Sequence, residues 1–324
     1  MKNELTIITV NYFSSDLIND LSKKLPRNNK VKYFWVVVDN SNSQQEFEKL
    51  QKIKKINKII NPKNNLGFGS ANNLAAKGVK SKYILFLNPD TDASKLDLEA
   101  LVTEMGQNSD IKMIGPKILN ADGTLQISAS NKYPNWWSHK IDYSPMLRIL
   151  IGKLGFNDYP ILLSKKEHKN SRQVLSLLGA CMLMRTADFK SLGGFDEDYF
   201  MYREETDLSK RIINNNGKIY YISGTSIVHM SGGASKNDFF AELNSEYTKS
   251  EYIFISKWHN FVYVSFCWII GWLSTFLSII IFALAGLIMS KKRKDYFRIM
   301  KLSLGCFIQH SLHPFAIGYY RKHK

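Results

Sequence analysis

Residues Ile84 to Leu87 carry no polar side chain, and the run stops abruptly at Asn88-Pro89-Asp90-Thr91-Asp92. A short stretch that is apolar at every position reads as a strand buried on both faces of a sheet, as parallel α/β sheets require. Comparable runs occur at Leu5 to Val10 and Tyr33 to Val38, and a briefer one lies around Ile59. Between them the apolar positions recur at helical spacing, near Ser14 to Leu25, Gln44 to Lys54 and Ser70 to Val79. This alternation predicts βαβ units and an α/β fold with a mainly parallel central sheet. Beyond Asp92 the pattern loosens. It predicts a helix near Leu96 to Gln107, strands near Met113 to Leu119 and Thr124 to Ala129, and a polar stretch from Asn131 to Arg172. One apolar strand over Val174 to Met184 follows, then a helix from Glu205 to about Gly217.

A different pattern takes over near the C-terminus. Phe261 to Met289 contains no charge over 29 residues; at ~1.5 Å per residue such a helix exceeds the ~30 Å hydrocarbon core of a bilayer. Trp258, Trp268 and Trp272 and the Lys291-Lys292-Arg293-Lys294 cluster suit the two interfaces. Leu302 to Tyr320 is apolar but interrupted by Gln309, His310, His313 and Pro314, which fits an interfacial or re-entrant helix. The expected organisation is a catalytic domain over residues 1–255 and a membrane-associated region over 256–324. The latter comprises a hydrophobic segment (261–289), a basic flank (291–301) and an amphipathic or re-entrant segment (302–320). Nothing near Met1 resembles a signal peptide, since Lys2 and Glu4 lead straight into a strand. A single crossing would put the basic cluster outside, against the positive-inside tendency, so both chain ends are expected on the cytosolic side.

The formal charge of +16 sharpens this reading. More than half of the excess follows Ser256, where the basic residues accompany only one acid, Asp295. Basic residues beside an uncharged apolar run point to anionic membrane lipids, not to nucleic acid, whose sites interleave basic and aromatic residues. Cys181, Cys267 and Cys306 are too few and scattered for a disulfide framework or a zinc site.

Candidate chemistry gathers where strands end. Asn11, Asp39, Asp90 and Asp92 each close an apolar strand, and in open α/β sheets ligands bind outside the carboxyl ends of the strands. Asp39 alone could be a turn or cap residue, and Asp90 and Asp92 could cap the next helix. Paired carboxylates also suit a hard divalent cation, Mg²⁺ or Mn²⁺, shared with a substrate diphosphate. His229, after a β-branched strand and before Gly232-Gly233, is either a structural histidine or a further ligand. Glu204, Glu205 and Asp207 open a helix, where carboxylates complement the dipole, and one of them could instead serve as a general base. Gly67-X-Gly69 lacks the third glycine and the preceding long strand of a dinucleotide loop.

The segments TVNY, VVVDNSNS, NLGFGSANN, ILFLNPDTD, LLGACMLMR and GGFDEDYFMYREETDLSKRI occur in this order over Leu5 to Gly233. Together they resemble glycosyltransferase family 2, and within it the bacterial rhamnosyltransferase-like branch. The resemblance implies a GT-A fold, a nucleotide-diphosphate sugar donor, Mg²⁺ or Mn²⁺, and inversion at the anomeric carbon. Carried onto this sequence, it implies that Asp39 meets the nucleobase and that Asn11, Gly69 and Asn72 lie near the nucleotide. Asp90 is implied on the ribose and phosphate side, Asp92 and His229 as metal ligands, and Gly179 and Ala180 beside the donor sugar. The family's base is usually the Asp of a Glu-Asp pair; here the pair is Glu204-Glu205, so Glu205 aligns with the base, with Glu204 as its alternative. Trp136 and Trp137 could stack on an acceptor sugar or simply pack. The expected reaction is transfer of a sugar, L-rhamnose from dTDP-L-rhamnose, to a polyprenyl-diphosphate-linked saccharide at the bacterial cytoplasmic membrane, the catalytic domain facing the cytosol. A UDP-sugar donor, polyprenyl phosphate as acceptor, or a catalytically silent nucleotide-sugar binder are the alternatives.

Overall fold

The computed structural model describes residues 4–26, 30–133, 163–230, 245–289 and 292–312. The chain divides into two compact units. One comprises Met1–Tyr133, Leu162–Phe200 and Glu204–Lys236, the other Pro134–Ile161, Met201–Arg203 and Asn237–Lys324.

The first unit is built on a nine-stranded sheet. Strands β1 (Leu5–Asn11), β2 (Tyr33–Asp39), β3 (Lys58–Ile60) and β4 (Tyr83–Leu87) pair in parallel in the order β3-β2-β1-β4. Helices α1 (Ser15–Lys24), α2 (Gln44–Gln51) and α3 (Phe68–Lys77) form their crossovers. Strand alternation sorts the core into two layers. Leu5, Ile7, Trp35, Val37, Leu85 and Leu87 pack with Ile18 and Leu21 of α1, Leu50 of α2 and Leu101 and Met105 of α4 (Leu98–Gln107). Ile8, Val36, Val38, Ile84 and Phe86 pack on the other face with Ala71 and Ala75 of α3, Phe189 and Phe195. All five residues of β4 are buried, because β4 lies inside the sheet with helices over both faces.

The second half of the sheet departs from simple alternation. After the two-residue strand β5 (Thr91–Asp92) come β6 (Ile111–Leu119) and β7 (Ala129–Ser130). The expected strand over Thr124 to Ala129 shrinks to β7, because residues 120–124 close a tight turn around Gly123 (φ +81°). The apolar run at Val174 to Met184, expected as one strand, is divided into three: β8 (Arg172–Val174), β9 (Ser176–Leu177) and β10 (Cys181–Arg185). Each pairs differently, β9 with β7 and β10 antiparallel between β4 and β6. Composition alone does not reveal that division, since Val174, Ser176, Leu177 and Cys181 to Met184 are all buried. Helix α5 (Thr186–Ser191) and helix α6 (Glu204–Asn214) follow. The long strand β11 (Lys218–His229) then pairs with β6, β8 and β5, and its end delivers His229 opposite Thr91.

In the second unit, α7 (Ser245–Trp258), α8 (Phe261–Ile288) and α9 (Arg293–Leu312) are helical. Asn260 caps α8 by accepting from the Tyr263 N–H at 2.9 Å. Val264, Cys267, Gly271, Thr275, Ser278, Phe282 and Gly286 form the buried stripe of α8. The α9 helix runs back along α8: Phe282 lies against Tyr296, and Trp272 against Phe307, its indole donating to Ser311 Oγ at 3.2 Å. Thr275, Ser278 and Ser303 satisfy their hydroxyls on their own helix turns, as buried hydroxyls in apolar surroundings require. The basic flank and the following apolar segment, expected as separate pieces, are one helix over Arg293–Leu312, and residues 313–320 lie outside the described residues. The outer side of α8 exposes Phe266, Ile269, Leu273, Phe276, Leu277, Ile280 and Leu284. By length and composition α8 can cross a membrane, the one such helix among the described residues. Arg203 pairs with Glu251 of α7 and donates to Tyr247 Oη at 2.7 Å, holding the consecutive left-handed residues Tyr202 and Arg203.

Gly67 anchors the start of α3. Its φ of +78° and ψ of −173° belong to a region essentially reserved for glycine, and a Cβ there would lie 2.0 Å from the Phe200 carbonyl oxygen, which accepts from the Phe68 N–H. Gly67→Ala is therefore expected to cost roughly 3 kcal/mol or more, read as a lower urea midpoint. Gly123→Ala, with a similar φ but open space around it, is expected to cost about 1 kcal/mol.

Candidate active site

The carboxyl ends of β1 and β2 hold a buried polar cluster. Asn11, fully buried, donates from Nδ2 to Asp39 Oδ1 (2.9 Å) and to Glu46 Oε2 (3.3 Å), while its Oδ1 accepts from the N–H and hydroxyl of Ser14. Asp39 Oδ1 also accepts from the Ser41 N–H and hydroxyl, whereas Asp39 Oδ2 is buried with no hydrogen-bond partner. A buried carboxylate oxygen left unpaired is costly, so this oxygen is available to a ligand N–H. Asn40 Nδ2 reaches the Gly67 carbonyl at 2.8 Å and ties the rim to the start of α3.

At the end of β4 the two carboxylates separate. His229 Nε2 lies 3.4 Å from Asp90 Oδ1, both side chains being largely buried. On its other side, His229 Nδ1 meets Gln126 Oε1 at 2.9 Å. Gln126 Oε1 accepts from Nδ1–H, which points Nε2 at the Asp90 carboxylate, and a divalent cation can be shared by an imidazole nitrogen and a carboxylate oxygen so arranged. Asp92, expected beside His229 as the direct metal ligand, turns elsewhere: Oδ2 pairs with Lys24 at the end of α1 (3.1 Å) and Oδ1 accepts from the Ser94 N–H. Burial raises the Asp92 carboxyl, but the hydrogen bonds from Ser94 and Lys24 outweigh it and hold the group below the usual aspartate value. Strand pairing sets this division. Thr91 lies opposite His229 and Asp92 opposite Val228, so His229 and Asp92 project from opposite faces of the β5–β11 ladder.

Asp90 and His229 fit a hard divalent ion that also takes phosphate oxygens, because such ions need only one or two protein ligands. Asn88, two residues before Asp90, keeps its Oδ1 buried and without a partner at the same turn. Among the described residues no three His, Cys, Asp or Glu side chains form a closed metal cluster.

The Asn88 N–H donates to the Ala180 carbonyl at 3.0 Å, which joins this turn to Gly179-Ala180 between β9 and β10. A Cβ on Gly179 would lie 3.8 Å from both Cβ and Cγ of Glu205, so Glu205 packs over the bare backbone of that segment. Its neighbour Glu204 faces the other way, buried, with its Cβ 3.7 Å from the Cβ position of Gly69. Gly69 is also crowded by Phe195 Cβ at 3.1 Å, so its smallness serves helix packing and does not open a surface to a ligand. Asn72 donates to the Phe68 carbonyl within its own helix. Trp136 and Trp137 lie outside the described residues.

Four further residues shape the site without being strand-end acids: Glu46, Asn88 and Gln126 by contact with its members, and Lys24 by pairing with Asp92. Glu46 sits three residues after the cap Ser43 and looks like an ordinary capping box. Asn88 could have been found as the polar residue closing β4. No local signal marks Gln126 or Lys24, which reach the site only through the tertiary fold.

The model of the family described as "Glycosyl transferase family 2" matches residues 6–190. A hexosyltransferase of low-salt glycan biosynthesis from Haloferax volcanii is 28% identical over 71% of this chain and 68% of its own length. The N-acetylglucosaminyl-diphospho-decaprenol L-rhamnosyltransferase of Mycobacterium tuberculosis is 27% identical over 60% of this chain and 66% of its own. The rhamnosyltransferase WbbL of Escherichia coli is 29% identical over 59% and 70%. Among solved structures, GalNAc-T7 with UDP, GalNAc and Mn²⁺ superposes with a TM-score of 0.52 at 16% identity, covering 78% of this chain and 50% of that one, a likeness of fold alone. With more than half of its length matched to one family and that family's sheet at its core, this chain belongs to glycosyl transferase family 2: it is a glycosyltransferase of GT-A fold.

Proposed function

We propose that this glycosyltransferase transfers L-rhamnose from dTDP-L-rhamnose to a hydroxyl of a polyprenyl-diphosphate-linked saccharide, with inversion, at the cytosolic face of a bacterial cytoplasmic membrane. The observation that carries the reading is the Asp90–His229 pair beside the turn that contacts Ala180, with Glu205 packed over Gly179. The names of the mycobacterial and Escherichia coli relatives support the donor sugar, and the mycobacterial one supports the lipid-linked acceptor. In this reading the nucleobase offers a ring N–H to Asp39 Oδ2, and the diphosphate lies over the Asn88–Asp90 turn. Mg²⁺ or Mn²⁺, held by Asp90 and His229, would offset charge on the departing nucleotide diphosphate. The donor sugar lies beside Gly179 and Ala180 in this reading, next to Glu205, which packs over the glycine's bare backbone. Glu205 accepts the acceptor hydroxyl's proton as its oxygen attacks the anomeric carbon. The bond from that carbon to the diphosphate oxygen breaks on the opposite face, as in inverting hydrolysis where a carboxylate activates water.

The outer face of α8 and the basic start of α9 support attachment to anionic lipids, the hydrophobic helix supplying area and Arg293, Lys294, Arg298 and Lys301 supplying charge.

Purified full-length protein supplied with N-acetylglucosaminyl-diphospho-polyprenol is expected to release dTDP from dTDP-L-rhamnose, and to stop on chelation. Equal use of UDP-sugars would replace the donor assignment. Glu205→Gln, Asp90→Asn and His229→Ala are each expected to lower kcat by about 10²–10⁴-fold, while Asp92→Asn stays within about tenfold of the parent. Equal losses at positions 90 and 92 would show that the cation reading is wrong. In flotation assays the protein is expected to rise with vesicles rich in anionic lipid, and Leu273→Glu together with Leu277→Glu is expected to leave it in the dense fraction.

A further inference from the structure

Glu46 departs from the role its local sequence assigns. In Ser43-X-X-Glu46 the glutamate of a capping box turns back to the N–H of the cap residue. Here the Ser43 N–H goes to Ser41 Oγ at 3.3 Å, and the Glu46 side chain leaves its own helix. Its Oε1 accepts from the Ser15 hydroxyl at 2.9 Å, and its Oε2 accepts from the Ser15 N–H at 3.0 Å and from Asn11 Nδ2 at 3.3 Å. Glu46 is 8% exposed, which is low for an acid, and Lys49 Nζ stands 3.7 Å from its Oε1.

The consequence passes through Asn11. Its amide has two hydrogens and spends one on Asp39 and one on Glu46, while both donors of Ser14 occupy its oxygen. The orientation of the amide is thereby determined from both ends. Asp39 Oδ1 is then saturated by Asn11 Nδ2 and the two donors of Ser41, and Oδ2 is left bare. Without an acceptor at position 46, one Asn11 hydrogen would be stranded in a buried site, and the amide would be held by Ser14 and Asp39 alone. The Asn11–Asp39 contact would then lose the support of its other hydrogen, and Asp39 Oδ1 would depend more heavily on the two donors of Ser41.

We infer that Glu46 is a positioning residue for base selection: through Asn11 it holds Asp39 so that one carboxylate oxygen is presented to the ring N–H of an imide base, uracil or thymine. Cytosine carries an unprotonated ring nitrogen at the equivalent position, which a fixed carboxylate repels. The inference rests on the assignment of Asp39 to the nucleobase in the proposed function.

Calorimetric binding of dTDP, UDP and CDP to the full-length protein in the presence of Mn²⁺ tests it. Glu46→Leu is expected to weaken dTDP and UDP by about tenfold, a typical loss for a hydrogen bond to a charged group, and to leave CDP within about twofold, so that the preference for imide bases collapses. Glu46→Gln keeps an acceptor oxygen for Asn11 and is expected to retain the preference. Asn11→Ala combined with Glu46→Leu is expected to lose no more than the larger single change, because the two act in series. An equal drop for all three nucleotides in Glu46→Leu, a loss in Glu46→Gln as large as in Glu46→Leu, or additive losses would each overturn the inference. Should Glu46→Leu not fold, Ser15→Ala removes one support of the carboxylate and is expected to lower the preference by about threefold; an unchanged preference overturns the inference. Asp39→Asn separates the two levels. If it keeps the imide preference, the base-site assignment itself fails. If it erases the preference while Glu46→Leu does not, only the role of Glu46 fails.

Discussion

One backbone hydrogen bond organises the rim of the sheet: the Asn88 N–H to the Ala180 carbonyl, 3.0 Å. Asn88 ends a strand that runs parallel to β1, and Ala180 precedes a strand that enters antiparallel between β4 and β6. Insertion of β10 in that sense turns the chain at Gly179-Ala180, at the end of the sheet where β1, β2 and β4 finish. Had the Val174 to Met184 run remained one continuous strand, its turn would lie elsewhere and Glu205 would have no bare backbone to pack over. The rim thus depends on an antiparallel strand inside a sheet whose first half is parallel.

Polar groups at that rim are buried, and burial makes their pairing strict. Asn11, Asp39, Ser14, Ser15, Ser41 and Glu46 satisfy one another almost completely, and the oxygens left without partners, Asp39 Oδ2 and Asn88 Oδ1, mark where a ligand can supply what the protein does not. Around His229 a similar logic applies. Gln126 takes one ring nitrogen, so the other is directed to Asp90. Satisfied groups surround the two unpaired oxygens, Asp39 Oδ2 and Asn88 Oδ1.

The helical unit follows a different physics. The buried stripe of α8 combines small residues, Gly271, Thr275, Ser278 and Gly286, with Phe282, which lies against Tyr296 of α9, while the outer stripe is large and apolar. An isolated soluble helix pair gains nothing by exposing such a face. The hydroxyls of Thr275, Ser278 and Ser303 are closed on their own turns, so these three groups do not depend on water.

Local pattern was enough to show the buried strands, the crossover helices, the 29-residue uncharged run and the acids at strand ends, because these follow from side-chain period and from Pro and Gly punctuation. It did not separate Asp90 from Asp92. Both are carboxylates at one strand mouth, but Lys24, which arrives from α1, pairs with Asp92, while the register sets Thr91 opposite His229 and leaves Asp90 beside the imidazole. Likewise Ser43-X-X-Glu46 reads as a cap until Ser15 and Asn11 draw the glutamate away. The kinds of residue and the elements that carry them are properties of neighbouring positions in the chain. Which face of a ladder each acid occupies is a property of pairing between distant segments, and only the folded sheet determines it.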